Sequence, residues 1–405
     1  MQTQDRKGEA VDLLIVGAGM VGLMLAAALR HTGLHIVLVE RLAGQARLSL
    51  GRDCRVSAIV QGNVRILQRL GVWKYLEQDA GMMTSMRIWD GQEQGGMRFD
   101  ASEIDEETLG YLLENRVLLD GLRQSLQESV DVELLCPESV QQVLWRRDGV
   151  QVQLAGGRVL ETPLIVGADG ANSWLRGQAD IDVFQRDYGQ QGIVANVSPR
   201  FSHQNTAFQR FLSTGPLAVL PMPDNMCSIV WSCTTAESER LLALSDAAFM
   251  DDLNEHLGGL CGGIVEVGQR AAFPLKAQLA RHIVRHRLAL IGDAAHSIHP
   301  LAGLGVNLGL RDAMVLAQEI VDARKFEEDW GELAVLNRYM KQRMPDVLLT
   351  MASMEALHQT FQAQLPAWVK LRGLGMKMMG NAGVVKQLLM KNTTGINLPV
   401  PHTIE

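Results

Sequence analysis

The stretch from Val11 to Glu40 constrains the fold more than any other part of the chain. Val11–Val16 is a six-residue apolar run of β type, and Gly17-Ala18-Gly19-Met20-Val21-Gly22 follows it. Met20–Arg30 then carries a helix-type apolar pattern that ends at His31-Thr32-Gly33. Leu34–Val39 reads as a second strand, and Glu40 closes it. Strand, glycine turn, helix and strand make a βαβ start. In that setting each glycine has a mechanical reason. The first allows the tight turn, the second lets the backbone approach a pyrophosphate, and the third lets the helix pack closely on the strand. The helix N-terminus then points unpaired N–H groups at the phosphates. Glu40 lies eighteen residues after Gly22, near where an acid takes ribose hydroxyls. The turn predicts a bound nucleotide without choosing FAD over NAD.

The run from Val11 to Leu29 is nearly uncharged and has the length of a membrane span or a signal core. Asp12 at its start and the three glycines break it, so strand, turn and helix describe it better. No other stretch reaches the apolar length a span requires. The reading is a cytoplasmic protein, peripheral to the inner membrane at most. A formal charge of −7 argues against a nucleic-acid binder, which needs a cationic surface. The five cysteines (Cys54, Cys136, Cys227, Cys233 and Cys261) are widely spaced and form no CxxC pair, so neither a disulfide framework nor a zinc site is expected.

Further along, helical spacing of Ile59, Val60, Ile66, Leu67 and Leu70 predicts a helix over Arg55–Gly71, and Leu109–Leu126 also reads as helix. Trp89–Phe99, Val130–Leu135, Ser139–Arg146 and Gly149–Leu154 read as strands. From Gly192 to Pro274 short apolar runs alternate with turn residues, the pattern of a mostly antiparallel sheet. Arg287–Ile291 is again a buried strand, and Asn307–Arg324 is helical. The organisation expected is α/β (α+β): a Rossmann-like nucleotide domain over 1–80, 105–180 and 275–330, interrupted by a sheet-rich substrate domain over 81–104 and 181–274. A helical region over 331–405 follows.

A second loop narrows the ligand. Leu290-Ile291-Gly292-Asp293-Ala294-Ala295-His296 ends a buried strand, and Pro300-Leu301-Ala302-Gly303-Leu304-Gly305-Val306-Asn307 opens a helix. A carboxylate at a strand end suits a polyol hydroxyl, and the ribityl chain of FAD is such a polyol, whereas NAD has none. The glycines let the backbone lie against a flat ring, and the helix aims its positive end at a ring edge that becomes negative on reduction.

These residues resemble the second FAD motif of the para-hydroxybenzoate hydroxylase superfamily, the class A flavoprotein monooxygenases. Gly167-Ala168-Asp169-Gly170-Ala171-Asn172-Ser173-Trp174-Leu175-Arg176 resembles that superfamily's DG motif. Arg55-Val56-Ser57-Ala58 and Glu114-Asn115-Arg116 resemble two further flavin-contacting stretches. The likeness runs from about residue 11 to 325. Phe208–Leu212, Gly215–Pro221, Cys227–Ser232 and Ala352-Ser353-Met354-Glu355-Ala356 look most like the ubiquinone-biosynthesis branch.

The resemblance implies FAD as cofactor, with NAD(P)H and O2 as co-substrates acting through a flavin C4a-hydroperoxide. The implied substrate is a lipophilic prenylated phenol or quinol. It implies that Gly17, Gly19, Gly22, Glu40, Arg55, Asn115, Asp169, Gly292, Asp293, Gly303, Gly305, Val306 and Asn307 bind FAD. Pro300, Gly303, Leu304 and Gly305 would lie beside the isoalloxazine, and Asp169 and Arg176 would contact NAD(P)H. Where the family has glutamine between two glycines, this chain has Leu304, which cannot donate a hydrogen bond. Other aromatic substrates, a reductase or halogenase on the same fold, and a non-catalytic FAD subunit of a biosynthetic complex are the alternative readings.

Three features have plainer readings. His296 and His299 lie beside Asp293, but no compact further ligand set is evident, and no metal is expected. Ser173 lacks a GxSxG elbow, so no hydrolase triad is expected. Leu217, Val219, Met222, Ile229 and Trp231 suit either a prenylated ring or, preferably, a sheet core. The tail from Pro366 to His402 carries Lys370, Arg372, Lys377, Lys386 and Lys391 with no acid. Its apolar residues make it a candidate for membrane-surface or complex docking, or for packing on its own domain.

Overall fold

The computed structural model describes residues 8–43, 54–90, 96–298, 305–362 and 383–396. Six strands form one sheet in the order Val284–Arg285, Leu288–Leu290, Ile165–Gly167, Leu13–Val16, Ile36–Val39 and Val132–Leu135. All neighbours run parallel except the first pair. Leu13, Leu14 and Ile15 have no solvent exposure, as befits a parallel strand covered on both faces. Helices Met20–Leu29 and Gly305–Lys325 pack so closely that a Cβ on Gly309 would lie 2.6 Å from Val21 Cγ2.

Eight strands form the second large sheet, in the order His296–Ser297, Ile264–Ala280, Val183–Pro199, Cys227–Thr234, Gly215–Pro221, Thr206–Leu212, Ser85–Asp90 and Met97–Asp100. It is antiparallel apart from the pairing of Thr206–Leu212 with Ser85–Asp90. Side chains alternate between its faces. Ile193, Leu217, Val219, Ile229 and Trp231 pack with Phe249 and Leu253 of the helix Asp246–Leu257. The core reading of those strand residues is thus the one the fold adopts, while Met222 joins a separate small cluster with Ala58 and Leu112. Val194, Ala218, Leu220, Ser228 and Val230 fall on the opposite face, in mutual register.

Two expected helices need correction. Val56–Val60 is a strand and only Gln61–Arg69 is helical, and Gly110–Glu114 is a strand before the helix Asn115–Leu126. The two strands pair antiparallel, Val56 with Glu114 through Val60 with Gly110. Each found its backbone partner about fifty residues away, and local periodicity cannot see such a partner. The helices Thr235–Ala243 and Asp246–Leu257 were hidden within the stretch read as sheet, and Thr234 and Ser245 cap them through their side chains. The second-motif helix starts at Gly305, two residues before the expected Asn307. The described part of the tail holds the helices Leu333–Gln362 and Gly383–Thr394, and most of the segment from Pro366 to His402 lies outside the described residues. Among the described residues no helix is long and apolar enough to cross a membrane.

Candidate active site

The carboxyl ends of four adjacent parallel strands carry the residues to which the sequence pointed. Gly17 follows Leu13–Val16, Glu40 follows Ile36–Val39, Asp169 follows Ile165–Gly167, and Gly292-Asp293 follows Leu288–Leu290. The register aligns these ends, with Val16 opposite Val39 and Gly167 opposite both Val16 and Leu290. Open parallel sheets bind ligands at this edge, because loops diverge there and helix N-termini converge.

Gly17 adopts φ +104°, and a Cβ there would collide with the carbonyl oxygen of Ala168. A Cβ on Gly22 would collide with the carbonyl oxygen of Gly17, so the helix sits directly on its own turn. Gly19 differs, because a Cβ there would meet no atom within 4 Å among the described residues. No described neighbour accounts for that glycine, and a ligand lying on the turn would. Glu40 is buried, and its carboxylate accepts from the N–H of Ala18 at 2.9 Å and of Leu42 at 2.9 Å. It braces the turn while standing at the sheet edge.

Asp169 accepts the Leu175 N–H through Oδ2 at 3.1 Å, and its Oδ1 is buried without a partner. An orphaned carboxylate oxygen just past the end of this strand fits a hydroxyl or a hydrated phosphate brought by a ligand. Arg176 is buried and donates to the carbonyls of Ala294 at 2.9 Å and Ala171 at 2.8 Å, tying the DG segment to the second loop. Ser173 caps the short helix Trp174–Gln178 by accepting the Arg176 N–H at 3.0 Å, which gives it a structural job.

Asp293 is exposed at the end of the strand Leu288–Leu290. Desolvation by the surrounding protein pushes its carboxyl above the ordinary range, with His296 lowering it and Asp312 raising it. Among the described residues it takes no hydrogen bond, so its acceptors are available to a ligand hydroxyl. Together, the bare Gly19, the orphaned Asp169 oxygen and the unbonded Asp293 fit a nucleotide with a polyol chain.

Beneath this loop lies a buried network that sequence reasoning missed. Asp312 accepts from His296 Nε2 at 2.7 Å, from the Gly292 N–H at 3.0 Å and from Arg343 Nε at 2.7 Å. All three side chains are buried. The signal in the sequence was an acid within the apolar face of Gly305–Lys325, since a buried carboxylate needs a partner. His296 is therefore accounted for by Asp312, while His299 lies outside the described residues. The side chain of Asn307 is occupied as well. It donates to Ala58 O at 2.7 Å and accepts from Val60 N at 3.0 Å and Asn63 Nδ2 at 2.9 Å. It staples the start of its helix to the strand Val56–Val60. Beside it, Ser57 Oγ donates to Asn115 Oδ1 at 2.7 Å, and the Asn115 N–H donates to Arg55 O at 2.9 Å. Pro300, Gly303 and Leu304 lie outside the described residues.

The fold and the cleft fit a nucleotide-binding protein, and comparison with known proteins supplies the class. The family described as FAD binding domain matches residues 10–351. The p-nitrophenol 4-monooxygenase of Pseudomonas putida shares the fold, with a TM-score of 0.80 over 96% of this chain and 99% of its own at 20% identity. Ubiquinone hydroxylase UbiL of Rhodospirillum rubrum is 36% identical over 96% of this chain and 90% of its own length. The 3-demethoxyubiquinol 3-hydroxylase of Escherichia coli is 35% identical over 96% of this chain and 99% of its own. The chain belongs to the FAD-dependent aromatic hydroxylases, in the branch of the ubiquinone-biosynthesis enzymes, and FAD is its cofactor.

Proposed function

We propose that this enzyme hydroxylates the aromatic ring of a prenylated phenol or quinol intermediate of ubiquinone biosynthesis, using NAD(P)H and O2. One observation carries the reading: the strand-end cleft with its unmatched acceptors belongs to a chain that also presents an apolar sheet face, and the relatives of that chain are named for ubiquinone hydroxylation. When bound, FAD supplies the redox chemistry and the activation of O2 that no side chain here can supply.

The protein's part is placement. The N–H groups around Gly17, Gly19 and Gly22 hold the pyrophosphate, and Glu40 takes ribose hydroxyls. Asp293 accepts from the ribityl chain, and Asp169 and Arg176 lie where NAD(P)H would pass. Arg55 and Asn115 flank the cofactor from the small sheet. Gly303, Gly305, Val306 and Asn307 offer backbone to the ring, with the helix N-terminus favouring negative charge at its edge. Pro300 and Leu304 belong to the same segment. The face with Val194, Ala218, Leu220 and Val230 supports the substrate ring and keeps water from it.

The lipophilic substrate also gives the C-terminal region a role at a membrane surface or in a biosynthetic complex. The helix Gly383–Thr394 packs on its own domain through Met390 and through Lys386, which pairs with Glu103, and its exposed Val385, Leu388 and Leu389 support such a contact. Removing residues 366–405 is expected to abolish liposome binding, and unchanged binding would end that reading.

The function is tested by adding NADH, with and without a prenylated phenol, to the purified yellow protein under air. The expected result is NADH oxidation accelerated by the phenol and a product heavier by one oxygen. Oxidation that ignores the phenol and yields only hydrogen peroxide would refute the assignment.

A further inference from the structure

A cavity of about 400 Å³ lies between the strands Val183–Pro199 and Ile264–Ala280 and the helix Leu333–Gln362. Phe184, Ala277, Leu279, Ile298, Leu348 and Met351 form the apolar part of its wall with Ala352 and Met354. Its position ties it to the candidate active site. Ile298 stands immediately before the segment 299–304, and Phe184 and Tyr188 lie on the same side of their strand as Val194. The two-residue irregularity between Asp187 and Gln191 preserves that side. The cavity therefore continues the apolar sheet face outward, under the C-terminal helix.

The chemistry of the wall says what it can hold. Its charged groups are satisfied by one another. Glu355 pairs with Arg186 and accepts from the Tyr188 hydroxyl at 3.2 Å and from Gln359 Nε2 at 2.5 Å. A phenolic oxygen would gain little there, whereas a hydrocarbon would meet methyl groups and thioethers. Met351 and Met354 add side chains that reshape around an irregular apolar guest. At roughly 30 Å³ for each water-sized group, the space holds on the order of a dozen carbon atoms, two to three five-carbon units. The outer end is open. Phe184 is 59% exposed and Leu348 48% exposed while both line the cavity, so a chain can run through the mouth to the surface. Apolar side chains left at an open mouth mark a binding surface.

We propose that this cavity is the subsite for the isoprenoid chain of the substrate, with the ring at the Ile298 end and the chain leaving between Phe184 and Leu348. This rests on the hydroxylase function proposed above and adds where the substrate's tail is bound.

Filling the cavity tests it. Ala277→Phe does so from the strand, and Ala352→Trp does so from the helix surface, where folding is less at risk. Each variant is first checked for bound FAD. The expected result is that kcat/KM for a phenol bearing several isoprene units, relative to one bearing a single unit, falls at least about tenfold. Binding of farnesol, which has no ring to hydroxylate, is measured by calorimetry on the FAD-loaded protein and is expected to weaken in the same variants. A flavin-replete variant with an unchanged chain-length ratio and unchanged farnesol binding would overturn the subsite. Farnesol binding that the variants weaken, in a wild-type protein that hydroxylates neither phenol, would sustain the subsite while removing the hydroxylase reading.

Discussion

Replacing Asp312 with asparagine probes the buried network under the Gly292-Asp293 loop. The Asp312 carboxylate serves three donors at once: His296 Nε2, the Gly292 N–H and Arg343 Nε. An ionised carboxylate can only accept, so His296 donates to it from Nε2. An amide in the same place offers one acceptor oxygen and sets an NH2 against a donor. Arg343 would then keep a buried charge with only Asp346, at 2.9 Å, to balance it. Breaking a buried pair from one side costs about 3–5 kcal/mol. In a protein of this size that lowers Tm by on the order of 5 °C.

The pH dependence has a definite sign. Burial by itself would raise the Asp312 carboxyl, but the charges of His296 and Arg343 and their hydrogen bonds outweigh it and hold the group below the ordinary carboxylate range. A carboxyl depressed in the folded state stabilises that state at neutral pH, and the contribution is lost as pH falls through the folded value. The Asn variant should therefore differ most from wild type near neutrality and converge with it in acid. The assay is thermal melting at fixed excess FAD across that pH range, with FAD affinity followed by flavin fluorescence. Pairing Asp312→Leu with Arg343→Met should recover much of the loss, since an apolar replacement removes the stranded charge. Asn melting and FAD affinity equal to wild type at neutral pH would refute the network's role in holding the loop.

Gly17→Ala should give protein that cannot retain FAD, because φ +104° and the Ala168 carbonyl both exclude a Cβ; the flavin-to-protein absorbance ratio measures it. Glu40→Gln should weaken FAD at least about tenfold, through both the ribose contact and the Ala18 brace; an equal Kd in a flavin titration would exclude that. Val230→Trp should raise KM for a prenylated phenol while flavin content holds, since Val230 is on the side of its strand opposite Trp231 and the buried core; a steady-state comparison decides. Leu304→Gln should change the fraction of NADH oxidation that ends in hydroxylated product, read as the ratio of product to hydrogen peroxide.

Much of the geometry of the candidate cleft was legible because its logic is local. A strand, a glycine at positive φ, a helix start and an acid at the next strand end are all set within one βαβ unit, and Gly17, Gly22 and Glu40 behave as that unit demands. The second loop was legible for the same reason, since Gly292-Asp293 ends a strand and a helix follows. The misread segments were those whose backbone partner lies far away, as for Val56–Val60 and Gly110–Glu114.

The sequence by itself determined the glycine turn, the acidic strand ends and the presence of an alternating sheet. Only the tertiary structure decided which side of that sheet is core. Alternation defines two faces of a strand but does not say which one a neighbour will cover, and the helix Asp246–Leu257 covers the side with Leu217, Ile229 and Trp231. Likewise, Asp312, His296 and Arg343 come from separate elements. They meet because Leu333–Gln362 crosses beside Gly305–Lys325, a packing that no local pattern of residues encodes.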